Sequence, residues 1–166
     1  HADRGPEDAA KRMGAAVHLL ARDAGITTAD IHAVGVGSPG PLDLAAGTIV
    51  RAGNLVGKYR KVYLPREEVE RGLTPGLSFP TFDTEFGRVG MMICYDVFFS
   101  DPARALAQQG ADLILMPIWG GDEALAKARA IENGVFLFAS GYDHPTYVRD
   151  PLGERLSEAP ADGTVA

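Results

Sequence analysis

Three short apolar runs in the second half of the chain, Arg88–Cys94, Asp112–Pro117 and Val135–Ala139, constrain the fold more than any other feature. Each is dense in aliphatic side chains and too short for an ordinary helix, and longer amphipathic segments separate them. Such runs read as buried strands, and the segments between them read as helices that cover a sheet. The first helix is expected to begin at Asp101-Pro102, with Asp101 as N-cap and Pro102 at the first helical position, and to stop at Gly110. The second runs Glu123–Asn133 and closes on Gly134. Phe79–Phe82 should pair with Arg88–Cys94 as a hairpin across Glu85-Phe-Gly87, and Thr146–Arg149 opens another before the turn Pro151-Leu-Gly153. From residue 79 onward the order is strand, strand, helix, strand, helix, strand, strand. That is an α/β fold with a mixed sheet.

The first third reads differently. Ala9, Met13, Ala16, Val17, Leu20 and Ala21 recur at helical spacing over residues 7–23, with Gly25 just beyond. Ile31–Val36 is a plausible buried strand, Gly37-Ser-Pro-Gly-Pro41 a turn, and Leu42–Leu55 a weak hairpin around Ala46-Gly47. Near Val56 the texture changes. Lys58–Leu64 reads as a mixed strand halted by Pro65, and Arg66–Arg71 as a short charged helix or turn. The expected division is therefore residues 1–56 and residues 57–166.

Composition excludes several classes of function. Hydrophobic residues at 46% and charged residues at 23% belong to a folded globular chain. A net charge of −6 argues against nucleic acid or an anionic membrane as partner. No apolar run approaches the ~20 residues of a membrane span, and the opening His1-Ala-Asp-Arg-Gly5 is too polar for a signal peptide. His1, His18, His32 and His144 show no metal-ligand spacing, so neither a metal nor another cofactor is expected. The single cysteine can form no intramolecular disulfide, which fits a reducing cytoplasm.

That cysteine, Cys94, ends an apolar strand shortly before a helix start, a position that exposes a thiol at the sheet edge and favours the thiolate. The plainer alternative is a buried cysteine acting as a small hydrophobe. Its surroundings favour the first reading. Gly57-Lys-Tyr-Arg-Lys-Val-Tyr-Leu-Pro65 resembles the lysine motif of the nitrilase superfamily of carbon–nitrogen hydrolases, and Gly90-Met-Met-Ile-Cys-Tyr-Asp96 resembles its cysteine motif. Leu73-Thr-Pro-Gly76, Phe82–Gly90, Asp101–Ala107, Gly110–Pro117, Ala128–Asn133 and Asp150-Pro-Leu-Gly153 follow in the family's order.

The resemblance covers about residues 57–166 and implies part of an α-β-β-α sandwich, whose unpaired sheet edges favour a homo-oligomer. It also implies a cysteine acyl-enzyme acting on a small nitrile, amide or carbamoyl substrate. By motif, Cys94 matches the nucleophile and Lys61 the catalytic lysine, with the backbone N–H of Tyr95 as second oxyanion donor. Glu70 resembles the supporting glutamate that orients the lysine, with Glu68 as its rival. Trp119 and Tyr142 fall in loops after strand ends and are candidates to line the pocket. Arg129 and Glu132, three apart on a helix, read as a local ion pair, while the resemblance implies instead that this helix packs at the site or at a subunit contact.

The family's general-base glutamate has no match, since Glu7 is the only glutamate in residues 1–56. Instead, Ala29–Asp43 with Gly47-Thr-Ile49 and Asn54-Leu55 resembles the ROK family of sugar kinases and repressors over about residues 5–55. This implies a helix–strand segment of different origin and an apparent chimera. Gly35-Val-Gly-Ser-Pro-Gly40 also fits a dinucleotide pattern, but Pro39 and Pro41 deny the helix start that a pyrophosphate needs. Loss of the general base implies weak turnover. A non-catalytic homo-oligomeric module and a sugar kinase fragment stand as alternatives.

Overall fold

The computed structural model describes residues 33–36, 46–51, 54–84, 87–119, 122–142 and 145–159, together with Thr27. The expected helix over residues 7–23, the Gly37–Pro41 turn and all four histidines lie outside these residues.

Two sheets are present among the described residues. The first is an antiparallel ribbon of β1 (Ala33–Val36), β2 (Ala46–Arg51) and β3 (Asn54–Arg60), in that order. The hairpin was expected at Ala46-Gly47, but those residues open β2 and pair with Arg60 and Tyr59 at the far end of β3. The chain reverses instead between Arg51 and Asn54, which pair across two intervening residues, the commonest hairpin length. β3 runs through Val56, where the sequence changes texture, and it stops at Arg60. Lys61 therefore lies just past the strand rather than within it.

The second sheet has six strands in chain order: β4 (Thr81–Thr84), β5 (Gly87–Met91), β6 (Leu113–Trp119), β7 (Phe136–Tyr142), β8 (Thr146–Arg149) and β9 (Arg155–Ala159). β5, β6 and β7 are parallel, while β4, β8 and β9 join antiparallel at the flanks, so the sheet is mixed as expected. The parallel crossovers carry α2 (Asp101–Gln108) and α3 (Glu123–Asn133); α1 (Arg66–Glu70) is a single turn after β3. α3 begins where the Asp122 carboxylate accepts the Leu125 N–H at 3.0 Å. It ends at Gly134, whose φ of 64° is the left-handed geometry of a helix stop. α2 corrects the sequence by one residue. Ser100 is its N-cap and Asp101 its first helical residue, because the Asp101 carboxylate is engaged elsewhere, by the Tyr63 hydroxyl at 2.6 Å.

Alternation along β6 divides the core. Ile114, Met116 and Ile118 are buried and pack with Leu106, Ala126, Ala130 and Leu137 beneath the helices. Leu113 and Leu115 face the opposite way, toward Tyr59, Val89 and Met91. That second cluster is what attaches the end of β3 to the larger sheet. No helix among the described residues is long and apolar enough to cross a membrane.

Candidate active site

β5 delivers the cysteine. After Met91 the Met92 N–H still pairs with the Leu115 carbonyl at 3.0 Å, Ile93 remains extended, and then the backbone turns sharply. Cys94 has φ of +44°, the one described non-glycine residue on that side of the map, and it opens a 3-10 helix over Cys94–Phe98. A side chain in that region costs about 1–3 kcal/mol and persists only where its surroundings enforce it. The Cys94 thiol donates to the Trp119 carbonyl at 3.4 Å. Trp119 and Tyr142, expected in loops after strand ends, are instead the paired last residues of β6 and β7, because the parallel ladder continues to both, and Trp119 is largely exposed. Cys94, Trp119 and the Tyr142 backbone thus gather at the carboxyl ends of parallel strands, where sites of α/β sheets form.

Lys61 is not a solvated strand lysine. It is 3% exposed, and its Nζ lies 2.8 Å from both carboxylate oxygens of Glu68. Glu68, the rival, takes the position the sequence favoured for Glu70. Glu70 instead sits 3.5 Å from Arg66 on the exposed face of α1. Residues two apart on a helix point about 200° apart, so one turn cannot aim both glutamates at the same lysine. Gly76 closes over this turn: its N–H donates to the Lys61 carbonyl at 2.8 Å, and a Cβ there would stand 2.2 Å from the Arg60 carbonyl oxygen.

The two turns are joined by a carboxylate that sequence reasoning did not single out. Asp96 is fully buried. Its Oδ1 accepts the Tyr63 N–H at 2.9 Å, and its Oδ2 accepts the Ile93 N–H at 2.8 Å and the Tyr59 hydroxyl at 2.7 Å. Burial pushes the Asp96 carboxyl above its ordinary value, against the pull of these donors and of the Lys61 charge. Burial, with the Asp96 charge next, drives the Tyr59 phenol far above the usual tyrosine range. The signal for both was legible but weak: an acid directly after an apolar strand end, and a tyrosine two positions before the lysine on an alternating strand.

Arg129 braces the cysteine turn from the other side. Its Nε donates to the Val97 carbonyl at 3.1 Å while Nη1 holds Glu132 at 2.8 Å, so the local ion pair read from the sequence is present and the same side chain also reaches the 3-10 helix. Tyr95 packs its ring between Phe98 and Phe99. Its N–H belongs to the first turn of the 3-10 helix, a position without an intrahelical acceptor.

Residues 15–165 match the family model described as carbon–nitrogen hydrolase. Omega-amidase NIT2 of Mus musculus is 33% identical over 139 residues, which cover 68% of this chain and 50% of that protein. Omega-amidase NIT2-A of Xenopus laevis is 30% identical across 96% of this chain and 68% of its own length. Among solved structures, a mutant of the amidase from Nesterenkonia sp. AN1, with the acetamide moiety of fluoroacetamide added covalently at its active site cysteine, superposes with a TM-score of 0.67. It is 29% identical over 92% of this chain and 65% of that one. The chain spans about half the length of the first of these curated relatives.

Proposed function

The chain belongs to the carbon–nitrogen hydrolase family of the nitrilase superfamily, and on that premise we propose that Cys94 accepts an acyl group from a small amide, nitrile or carbamoyl compound. The thiolate attacks the substrate carbon, and the Lys61 ammonium and Tyr95 N–H stabilise the charge on its oxygen or nitrogen. From an amide or carbamoyl compound the amine or ammonia departs with the proton the thiol gave up, leaving a thioester that water hydrolyses. A nitrile instead gives a thioimidate, which takes up water and releases ammonia to reach the same thioester. The observation that carries this reading is the backbone of Cys94. A left-handed non-glycine residue at the end of a parallel strand, buttressed on both sides, holds the thiol out of the sheet. The relatives named as amidases support an amide before a nitrile.

Turnover is proposed to be weak. Glu68 is engaged with Lys61, and no other glutamate in the sequence matches the family's general base, whose loss costs about 10²–10⁴ in rate. The alignment to the Xenopus laevis omega-amidase runs to 193 positions against a chain of 166 residues, so that relative carries residues this chain lacks. Intact mass after incubation with 4-nitrophenyl acetate tests the proposal. One acetyl on the native chain and none on the Cys94→Ala variant is expected; no acetyl on either would overturn it.

A non-catalytic homo-oligomeric module is the second reading, favoured by β4 and β9 standing as the outer strands of the described sheet. A stable oligomer in light scattering with an inert Cys94 would select it. The likeness of residues 5–55 to ROK-family sugar kinases bears on ancestry, and the hydrolase match overlaps it from residue 15. ATP-dependent sugar phosphorylation is expected to be absent.

A further inference from the structure

We propose that Asp96 is the positioning residue of this site: its one buried carboxylate locks the lysine-bearing turn to the cysteine-bearing turn and holds Cys94 in its left-handed conformation. The inference rests on the reading that Lys61 and Cys94 act together. It is carried by which oxygen serves which turn. Oδ1 takes the N–H of Tyr63, two residues beyond Lys61, and Oδ2 takes the N–H of Ile93, the residue before Cys94. The Asp96 N–H returns to the Ile93 carbonyl at 3.1 Å, so two bonds between Ile93 and Asp96 bracket Cys94 and Tyr95. Tyr59 completes the connection, donating to Oδ2 while its oxygen accepts the Val62 N–H at 3.3 Å. Residues 59, 62 and 63 on one side and 93 and 96 on the other are thereby tied through a single group.

Every neighbour of the carboxylate in this set is a donor. An ionised carboxylate only accepts, so it satisfies them all, whereas an asparagine must present an NH₂ to one of them. Asp96 has no exposed surface, so solvent does not reach the carboxylate to relieve that conflict. Asp96→Asn therefore keeps the volume of the side chain and releases one of the two turns. Alanine would remove the packing as well, and it is the poorer probe.

Three measurements on the full chain test this. In single-turnover acylation by 4-nitrophenyl acetate, D96N should lower the limiting rate about 10–100-fold with little change in the half-saturating concentration, as expected when reacting groups are misplaced by about an ångström. Alkylation of Cys94 by iodoacetamide at alkaline pH should change less than about threefold, since small-molecule alkylation needs an exposed thiolate but no oriented partner. Amide exchange at Ile93 or Tyr63 should accelerate in D96N. Tyr59→Phe keeps both backbone donors and should slow acylation less than D96N, which keeps the test open if D96N folds poorly. Acylation at the native rate in D96N, a parallel fall in acylation and alkylation, or a Y59F loss as large as that of D96N would overturn the proposal. If the native chain itself is not acylated, the proposed function fails, and amide exchange alone decides: protection of Ile93 and Tyr63 that survives D96N overturns the positioning role.

Discussion

Tyr59 donates its hydroxyl to Asp96 Oδ2 at 2.7 Å, and neither side chain has exposed surface. The bond spans the two motifs of the site, 37 residues apart in sequence. It ties the end of a peripheral ribbon to the turn that carries the only thiol.

This bond makes stability sensitive to alkali. The folded-state Tyr59 phenol titrates far above its ordinary value, so the native state keeps a proton that the unfolded chain releases near pH ~10. The contribution is complete below that pH and is lost as pH rises above it. Urea midpoints should fall between about pH 9.5 and 11, and Tyr59→Phe should flatten the slope. Part of the slope should remain, because burial also raises Tyr147. An unchanged slope in Y59F would contradict the buried bond.

The two glutamates of α1 should separate cleanly. Glu68→Gln leaves the buried Lys61 ammonium with a weaker partner and should cost about 1–3 kcal/mol, below the range for a fully buried pair because Glu68 is partly exposed. Glu70→Gln touches only an exposed pair and should stay within about 0.5 kcal/mol. Chemical denaturation of both variants checks the order, and equal losses would refute it.

Strain at Cys94 predicts a contrast between two small replacements. Both Cys94→Ala and Cys94→Gly remove the thiol and abolish acylation, but only glycine occupies a φ of +44° at ease. The glycine variant should be the more stable of the two by about 1 kcal/mol. Thermal melts decide; an alanine variant that is equally stable would mean the turn is not held as described.

Gly76→Ala should act at a distance from its own position. Its Cβ would meet the Arg60 carbonyl oxygen at 2.2 Å, closer than any real contact. Either the loop or the Lys61 turn must move, at a cost of about 1–3 kcal/mol. We expect slower acylation of Cys94 together with a lower melting temperature, and an unaltered rate would show that the Lys61 turn does not respond.

Local rules carried the reading of the larger sheet. β5, β6 and β7 were visible as apolar runs, and α3 keeps its expected bounds, Glu123–Asn133 closed by Gly134, because a helix stop acts within a few residues of where it is read. Cys94 and Lys61 were proposed from the motifs around them. What local rules misjudged was where a side chain spends its hydrogen bonds: Asp101 goes to Tyr63 rather than to its own helix end.

The sequence by itself determined the layered α/β order and the strand that leads to the lone cysteine. These follow from periodicity and short-range chemistry. Only the tertiary structure decided that Glu68 rather than Glu70 faces Lys61, since that depends on the angle at which one helical turn leaves Pro65. It also decided that Asp96 is the joint between the turns. Its partners at residues 59 and 63 are brought to it by the packing of β3 against the sheet, and burial, by excluding water, strengthens the bonds a carboxylate makes to donors from distant segments.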